Sequence, residues 1–180
     1  LKLGKQSIIL FDKVISNYST YSKAPECLFL KAFVFENQLN DLAKAGKFYN
    51  EFIAMPVNGW NLDSLAVFRV DINQPQIPHD LYIQIRNESR YPNSNLWLFI
   101  DVVSPDGHLQ RDTLECQLAD VNGKWLGSGW GSLYTLQCPY RMNTKFSAAG
   151  TYVFRMAHGM RQDDLLGIKN IGLRVEKKWK

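Results

Sequence analysis

The residues of this 180-residue chain that could do chemistry include three histidines, three cysteines and a scatter of serines, carboxylates and tryptophans. Their spacing decides which chemistry is open to them. His79, His108 and His158 stand in neither H-E-x-x-H nor H-x-H spacing. His79 lies in a proline-rich stretch and His108 follows a Pro-Asp-Gly turn, so surface or structural roles are expected and no metal site. No serine sits in G-x-S-x-G, and Ser128 and Ser132 lack the strand-elbow-helix setting of a hydrolase nucleophile. Asp112 and Glu115 have an odd separation, which puts them on opposite faces of a strand, and Asp163-Asp164 is adjacent in a loop. Neither pair is persuasive as the acid–base couple of a glycoside hydrolase. The glycines of Trp125–Gly131 lack the Gly-Lys-Ser/Thr ending and the following helix of a phosphate loop, so a bulge or tight strand corner is expected. No nucleophile or acid–base pair is legible. The expectation is a protein that is not an enzyme and carries no cofactor.

Cys27, Cys116 and Cys138 show no C-x-x-C spacing, which argues against zinc and against a thioredoxin-type site. Cys116 and Cys138 both fall in strand-like segments. They can form a disulfide if those strands are neighbours and the compartment is oxidising; two buried free thiols fit the sequence equally well.

The aromatic residues Trp60, Trp125, Trp130, Tyr91 and Tyr134 lie in or beside loops. Exposed rings there would stack on sugars or anchor a protein interface. The competing reading is that Trp60 and Trp125 cap the ends of a core. Arg86-Asn87-Glu88-Ser89-Arg90-Tyr91 is a polar strand end that suits a recognition loop, unless Arg86 simply pairs with an acid such as Asp112. The candidate interaction surface is therefore Trp60, Arg86, Asn87, Tyr91, Asn95, Trp125 and Trp130.

The elements that must position these residues are strands. From residue 48 onward apolar residues alternate with period two. Ala66, Phe68, Val70 and Ile72 share one face of 65–72, and Leu81, Ile83 and Ile85 one face of 80–86. Leu96–Val103 is apolar on both faces except at Asp101, so a central strand covered on both sides is expected. Ser104-Pro105-Asp106-Gly107 has turn chemistry. Leu114, Cys116 and Leu118 alternate in 112–118. Leu133–Arg141 is extended, Tyr152, Phe154 and Met156 share a face of 151–158, and Ile171, Leu173 and Val175 close the chain. Pro75 and Pro78 mark a loop over 73–79. About eight short strands joined by Pro, Gly and Asn turns predict an all-β, antiparallel, jelly-roll-like sandwich. Before residue 48, only Leu39–Ala45 has a helical pattern. The expected organisation is an atypical segment 1–47 and a sandwich domain 48–180.

Hydrophobic residues make up 46% and charged residues 21% of the chain, which permits a buried core and excludes wholesale disorder. The net charge is +4, and residues 1–47 hold seven Lys against four acids, so the sandwich region is almost neutral. Without a long basic stripe, nucleic-acid binding is not expected; Lys177, Lys178 and Lys180 around Trp179 read as a solvated end. No run of about 18 apolar residues suggests a membrane helix, and neither Ser7–Phe11 nor Cys27–Phe35 makes a secretory signal.

In order, several segments resemble the gliding motility lipoprotein GldH family of Bacteroidetes-type bacteria. One is Phe48–Ser64, with Gly59-Trp60 and Asp63. A second is Ile85–Phe99, with Ile85-Arg86-Asn87, Tyr91-Pro92 and Asn95-Leu96-Trp97-Leu98-Phe99. A third runs from Asp112-Thr113-Leu114-Glu115 through Gly123-Lys124-Trp125 and Gly127-Ser128-Gly129. The last extends from Gly150-Thr151-Tyr152 through Leu166-Gly167-Ile168 to Gly172–Lys177. The resemblance covers about 48–178. It implies a non-catalytic lipoprotein of the cell envelope, facing the periplasm, in contact with other envelope proteins of the gliding apparatus linked to type IX secretion. It also implies a membrane anchor on a lipobox cysteine shortly before Phe48. This sequence has Asp41-Leu42-Ala43-Lys44-Ala45-Gly46-Lys47 there, and Cys27 follows Ala24-Pro25-Glu26, which is not a lipobox. Residues 1–46 are accordingly expected to be an altered or misread replacement of the signal. A carbohydrate-binding module using Trp60, Trp125 or Trp130 is the alternative function.

Overall fold

In the computed structural model, residues 48–178 are described, apart from the side chains of Phe48, Tyr49 and Trp130. The expected helical turn at 39–45, Cys27, and Trp179 lie outside them. The chain divides into two units between Asn50 and Glu51, and the strands lie in the second apart from the first three residues of the first strand, 48–50.

Period-two alternation gives eleven strands and no helix among the described residues. They are β1 (Phe48–Ala54), β2 (Trp60–Asn61), β3 (Ala66–Ile72), β4 (His79–Glu88), β5 (Asn95–Val103), β6 (Leu109–Gln117), β7 (Ser128–Trp130), β8 (Leu133–Thr144), β9 (Gly150–His158), β10 (Asp164–Leu165) and β11 (Ile168–Lys177). The expected strands are among the eight long ones; β2, β7 and β10 have only two or three residues, too few for alternation to reveal.

The strands form a five-stranded sheet, β1-β11-β4-β8-β7, a four-stranded sheet, β3-β9-β5-β6, and a two-stranded ribbon, β10-β2. With the short strands set aside and the eight long ones numbered in chain order, the two large sheets read 1-8-3-6 and 2-7-4-5. First pairs with last, second with seventh, third with sixth and fourth with fifth. This is a single long hairpin rolled up so that successive pairs fall alternately in the two sheets, which is jelly-roll connectivity. At the centre of the hairpin, the Ser104–Gly107 turn closes with Gly107 N–H donating to the Ser104 carbonyl at 2.9 Å.

The core fills the space between the sheets. Ala66, Phe68, Val70 and Ile72 of β3, and Leu81, Ile83 and Ile85 of β4, are buried as the alternation requires. Tyr152, Phe154 and Met156 of β9 and Ile171, Leu173 and Val175 of β11 join them. β5 corrects one expectation. It lies inside its sheet, between β9 and β6, and buries Leu96, Leu98, Ile100 and Val102, but its other face is open: Trp97 is 39% and Phe99 45% exposed.

Candidate interaction surface

Jelly-roll pairing brings the end of β4, the start of β5, the end of β6, the start of β8 and the end of β9 to one end of the sandwich. Most residues singled out from the sequence collect there, but few of them are displayed.

Trp60 is 1% exposed. The β2–β10 ribbon pairs it with Leu165, its Nε1–H donates to the Ser64 carbonyl at 2.8 Å, and its ring meets the His158 ring edge-on. It plugs the end of the core and is no surface residue, because burying an indole is worth far more than exposing it once its N–H has a partner. Asn87 is buried too, with Nδ2 donating to the Glu88 carbonyl at 3.2 Å. Tyr91 is buried and donates from its hydroxyl to the Asn95 carbonyl at 2.9 Å; desolvation pushes its pKa up to about 12. Its backbone packs on Gly167, where an added Cβ would sit 2.8 Å from Tyr91 Cα, and where φ is +88°. Both the space and the left-handed backbone require glycine. Asn87, Tyr91 and Trp60 are therefore corrected from surface to supporting positions.

Trp125 is half-buried, with its ring 6.5 Å from Tyr91 and 5.8 Å from Tyr134. The glycine-rich segment after it is a tight corner, as expected. Gly129 pairs with Tyr134 in the β7–β8 hairpin, and an added Cβ would lie 2.0 Å from the Leu133 carbonyl oxygen. Trp130 ends β7 opposite Leu133, and its side chain is not among those described. The tryptophans considered as sugar platforms thus offer no open ring at Trp60 and only part of one at Trp125.

Arg86 faces away from the core on the five-stranded sheet. Its guanidinium sits 4.6 Å from the centre of the Phe52 ring, and Nε donates to Thr135 Oγ1 at 3.3 Å. It does not meet Asp112. That carboxylate instead accepts from Tyr140 Oη and Arg141 Nη2, each at 2.5 Å. Glu115 points the opposite way from Asp112, as an odd separation demands, and accepts from Asn95 Nδ2 at 2.6 Å.

Among the exposed apolar residues, one adjacent aromatic pair is not flagged by alternation alone. Trp97 and Phe99 stand side by side on the outer face of β5. Phe99 pairs with Ala157 on one side and Thr113 on the other. Gly159 lies against the Phe99 ring and the Trp97 Cβ; its missing Cβ would be 3.0 Å from Phe99 Cε2 and 3.4 Å from Trp97 Cβ. Small neighbours leave the rings uncovered. Gly159 N–H donates to the Trp97 carbonyl at 2.7 Å, and Trp97 N–H to Met160 Sδ at 3.3 Å. A cleft of about 500 Å3 opens beside Trp97, bounded by Asn93, Asn95, Gly159, Met160, Arg161 and Gln162. Farther along the same face, Asp101 and Arg111 form a bidentate pair at 2.6 and 2.8 Å. Burial of the aromatic pair against another surface would be favourable, and the polar rim suits a protein interface. Among the described residues, no group of three or more His, Cys, Asp or Glu side chains gathers as a metal site.

The family model described as GldH lipoprotein matches residues 47–175. The chain belongs to this family. The GldH match runs from the start of β1 to Val175 and so takes in all eleven strands except the last two residues of β11. A gliding motility lipoprotein GldH homolog of Christiangramia forsetii is 33% identical over 81% of this chain and 93% of its own length. The gliding motility lipoprotein GldH of Flavobacterium johnsoniae is 27% identical over 67% of this chain and 79% of its own. Among solved structures, an arabinose-bound α-L-arabinofuranosidase aligns with 74% of this chain and 23% of its own at 6% identity, with a TM-score of 0.35, too slight a likeness to support any inference. Several GldH-like motif residues have structural work here: Gly59-Trp60 plugs the core, Tyr91 packs on Gly167, and Trp125 leans on Tyr91 and Tyr134.

Proposed function

We propose that this GldH-family protein is a non-catalytic, periplasm-facing lipoprotein of the bacterial cell envelope that serves the gliding machinery by contact with other envelope proteins. The partner seats on the outer face of β5. One observation carries this reading: Trp97 and Phe99 are 39% and 45% exposed, adjacent, and left bare by Ala157 and Gly159. Large aromatic residues exposed side by side are common anchors of protein interfaces. Family membership and the names of the two relatives support the setting; the exposed rings support contact as the mode of action.

The test is replacement of the native gene by a Trp97→Ala/Phe99→Ala double variant. Gliding and co-purification of envelope partners should be lost while the protein level and thermal stability hold. Normal gliding with unchanged co-purification would refute the reading.

A further inference from the structure

The inner faces of β6 and β8 each carry one cysteine. Cys116 is 0% exposed on the edge strand of the four-stranded sheet, and Cys138 is 9% exposed on a strand of the other sheet. The two strands approach within 8 Å, Cα to Cα, across the layers. They are tied by the bonds of Tyr140 and Arg141 to Asp112. Four residues forward along β6 from Asp112, and two residues back along β8 from Tyr140, lie the cysteines. The clamp thus holds the two strands against each other near both cysteines. Both thiols are free, the Cys138 thiol donates to the Pro139 carbonyl at 3.8 Å, and the two cysteines lie close enough for each to shift the other's titration.

We propose that Cys116 and Cys138 are a modification site: they form a disulfide that staples the two sheets together when the domain matures in an oxidising compartment. The oxidant is a disulfide-bearing thiol oxidoreductase of the envelope, and this part rests on the envelope reading above. Their interaction raises the pKa of Cys116 and lowers that of Cys138, so Cys138 gives up its proton first. Its thiolate attacks one sulfur of the oxidant's disulfide. That S–S bond breaks, its electron pair leaves with the second sulfur, and a mixed disulfide forms. Cys116 then loses its proton and attacks the Cys138 sulfur, expelling the oxidant's remaining thiolate. Two protein thiols lose two protons and two electrons, and the oxidant takes them up as a dithiol. The bond gives β6, an edge strand, a covalent link to the opposite sheet.

The test uses the reduced full chain and glutathione disulfide, so it does not depend on where the protein resides. Trypsin cleaves after Arg111, Lys124 and Arg141, which separates Cys116 in peptide 112–124 from Cys138 in peptide 125–141. After oxidation and without reduction, the two peptides should appear joined. Reduction should lower the melting temperature by about 10 °C. A Cys116→Ala/Cys138→Ala variant should show no such response to reductant. Separate peptides, alkylated or carrying glutathione, and a melting temperature indifferent to reductant would overturn the pairing. The same digest on protein alkylated in native cells separates the two claims. Joined peptides there support the maturation step, and free thiols there beside joined peptides in vitro overturn the oxidising placement rather than the geometry.

Discussion

The rings of Trp60 and His158 meet edge to face, 5.4 Å between centroids and 70° between planes. Each is fully enclosed, and the two come from strands almost a hundred residues apart. The contact fastens the β2–β10 ribbon over one end of the core and gives the support on which the loops beside the β5 face are held.

This arrangement separates the tryptophans by role. Trp60→Ala should cost about 3–5 kcal/mol of unfolding free energy, since it empties a packed site. Trp97→Ala should cost clearly less, roughly 1 kcal/mol, because the side chain is 39% exposed and fills no site in the core. Urea unfolding of the two variants checks the difference; equal losses would contradict the assignment of Trp97 to the surface.

Acid should weaken the fold in two stages. Burial holds the imidazoles of His79 and His158 below their ordinary value of 6.5; for His158 it outweighs the nearby backbone of Trp60 and Asp163 and the carboxylates of Asp163 and Asp164, which favour the cation. The unfolded chain therefore takes up protons that the folded one refuses. Stability is full above about pH 6.5 and falls as pH drops through the lowered values. Burial also pushes the Asp112 carboxyl up, but hydrogen bonds from Tyr140 and Arg141 outweigh it and hold the group below 3.8. Its contribution persists to lower pH and is lost last. Urea midpoints measured from pH 7.5 to 3 should decline from about pH 6.5 downward, and His158→Phe should reduce the first stage.

Gly167→Ala should be among the more damaging single-methyl changes in the domain. The new Cβ would press on Tyr91 Cα at 2.8 Å, and φ is +88°. Gly123 has a similar φ of +79° but nothing within 4 Å of the added Cβ. Gly123→Ala should cost about 1 kcal/mol of backbone strain, and Gly167→Ala clearly more. Thermal melts of the two variants isolate the clash from the strain.

The long strands are legible because burial on one face writes itself as alternation. β3, β4, β9 and β11 bury the residues that the pattern picks out. What alternation omits is the neighbour. The outer row of β5 reads as covered because Trp97 and Phe99 are large and apolar; their exposure depends on Ala157 and Gly159, which reach β5 only through the seventh-to-fourth strand pairing. Trp60 reads as a loop aromatic because the two-residue ribbon that buries it is too short to show a period. Arg86 and Asp112, plausible partners on charge alone, lie in different sheets and find other contacts. The residues chosen from the sequence thus collect at one end of the sandwich, and several of them are supports.

Site-specific photocrosslinking in the native gliding host tests the central claim most directly. A benzophenone side chain placed at position 97 or 99, in protein at its natural level, should yield discrete adducts with an envelope protein. The same group at Arg69, exposed on the edge strand β3 of the same sheet, should not. Absence of adducts from 97 and 99, or equal adducts from all three positions, would contradict the assignment of the β5 face as the contact surface.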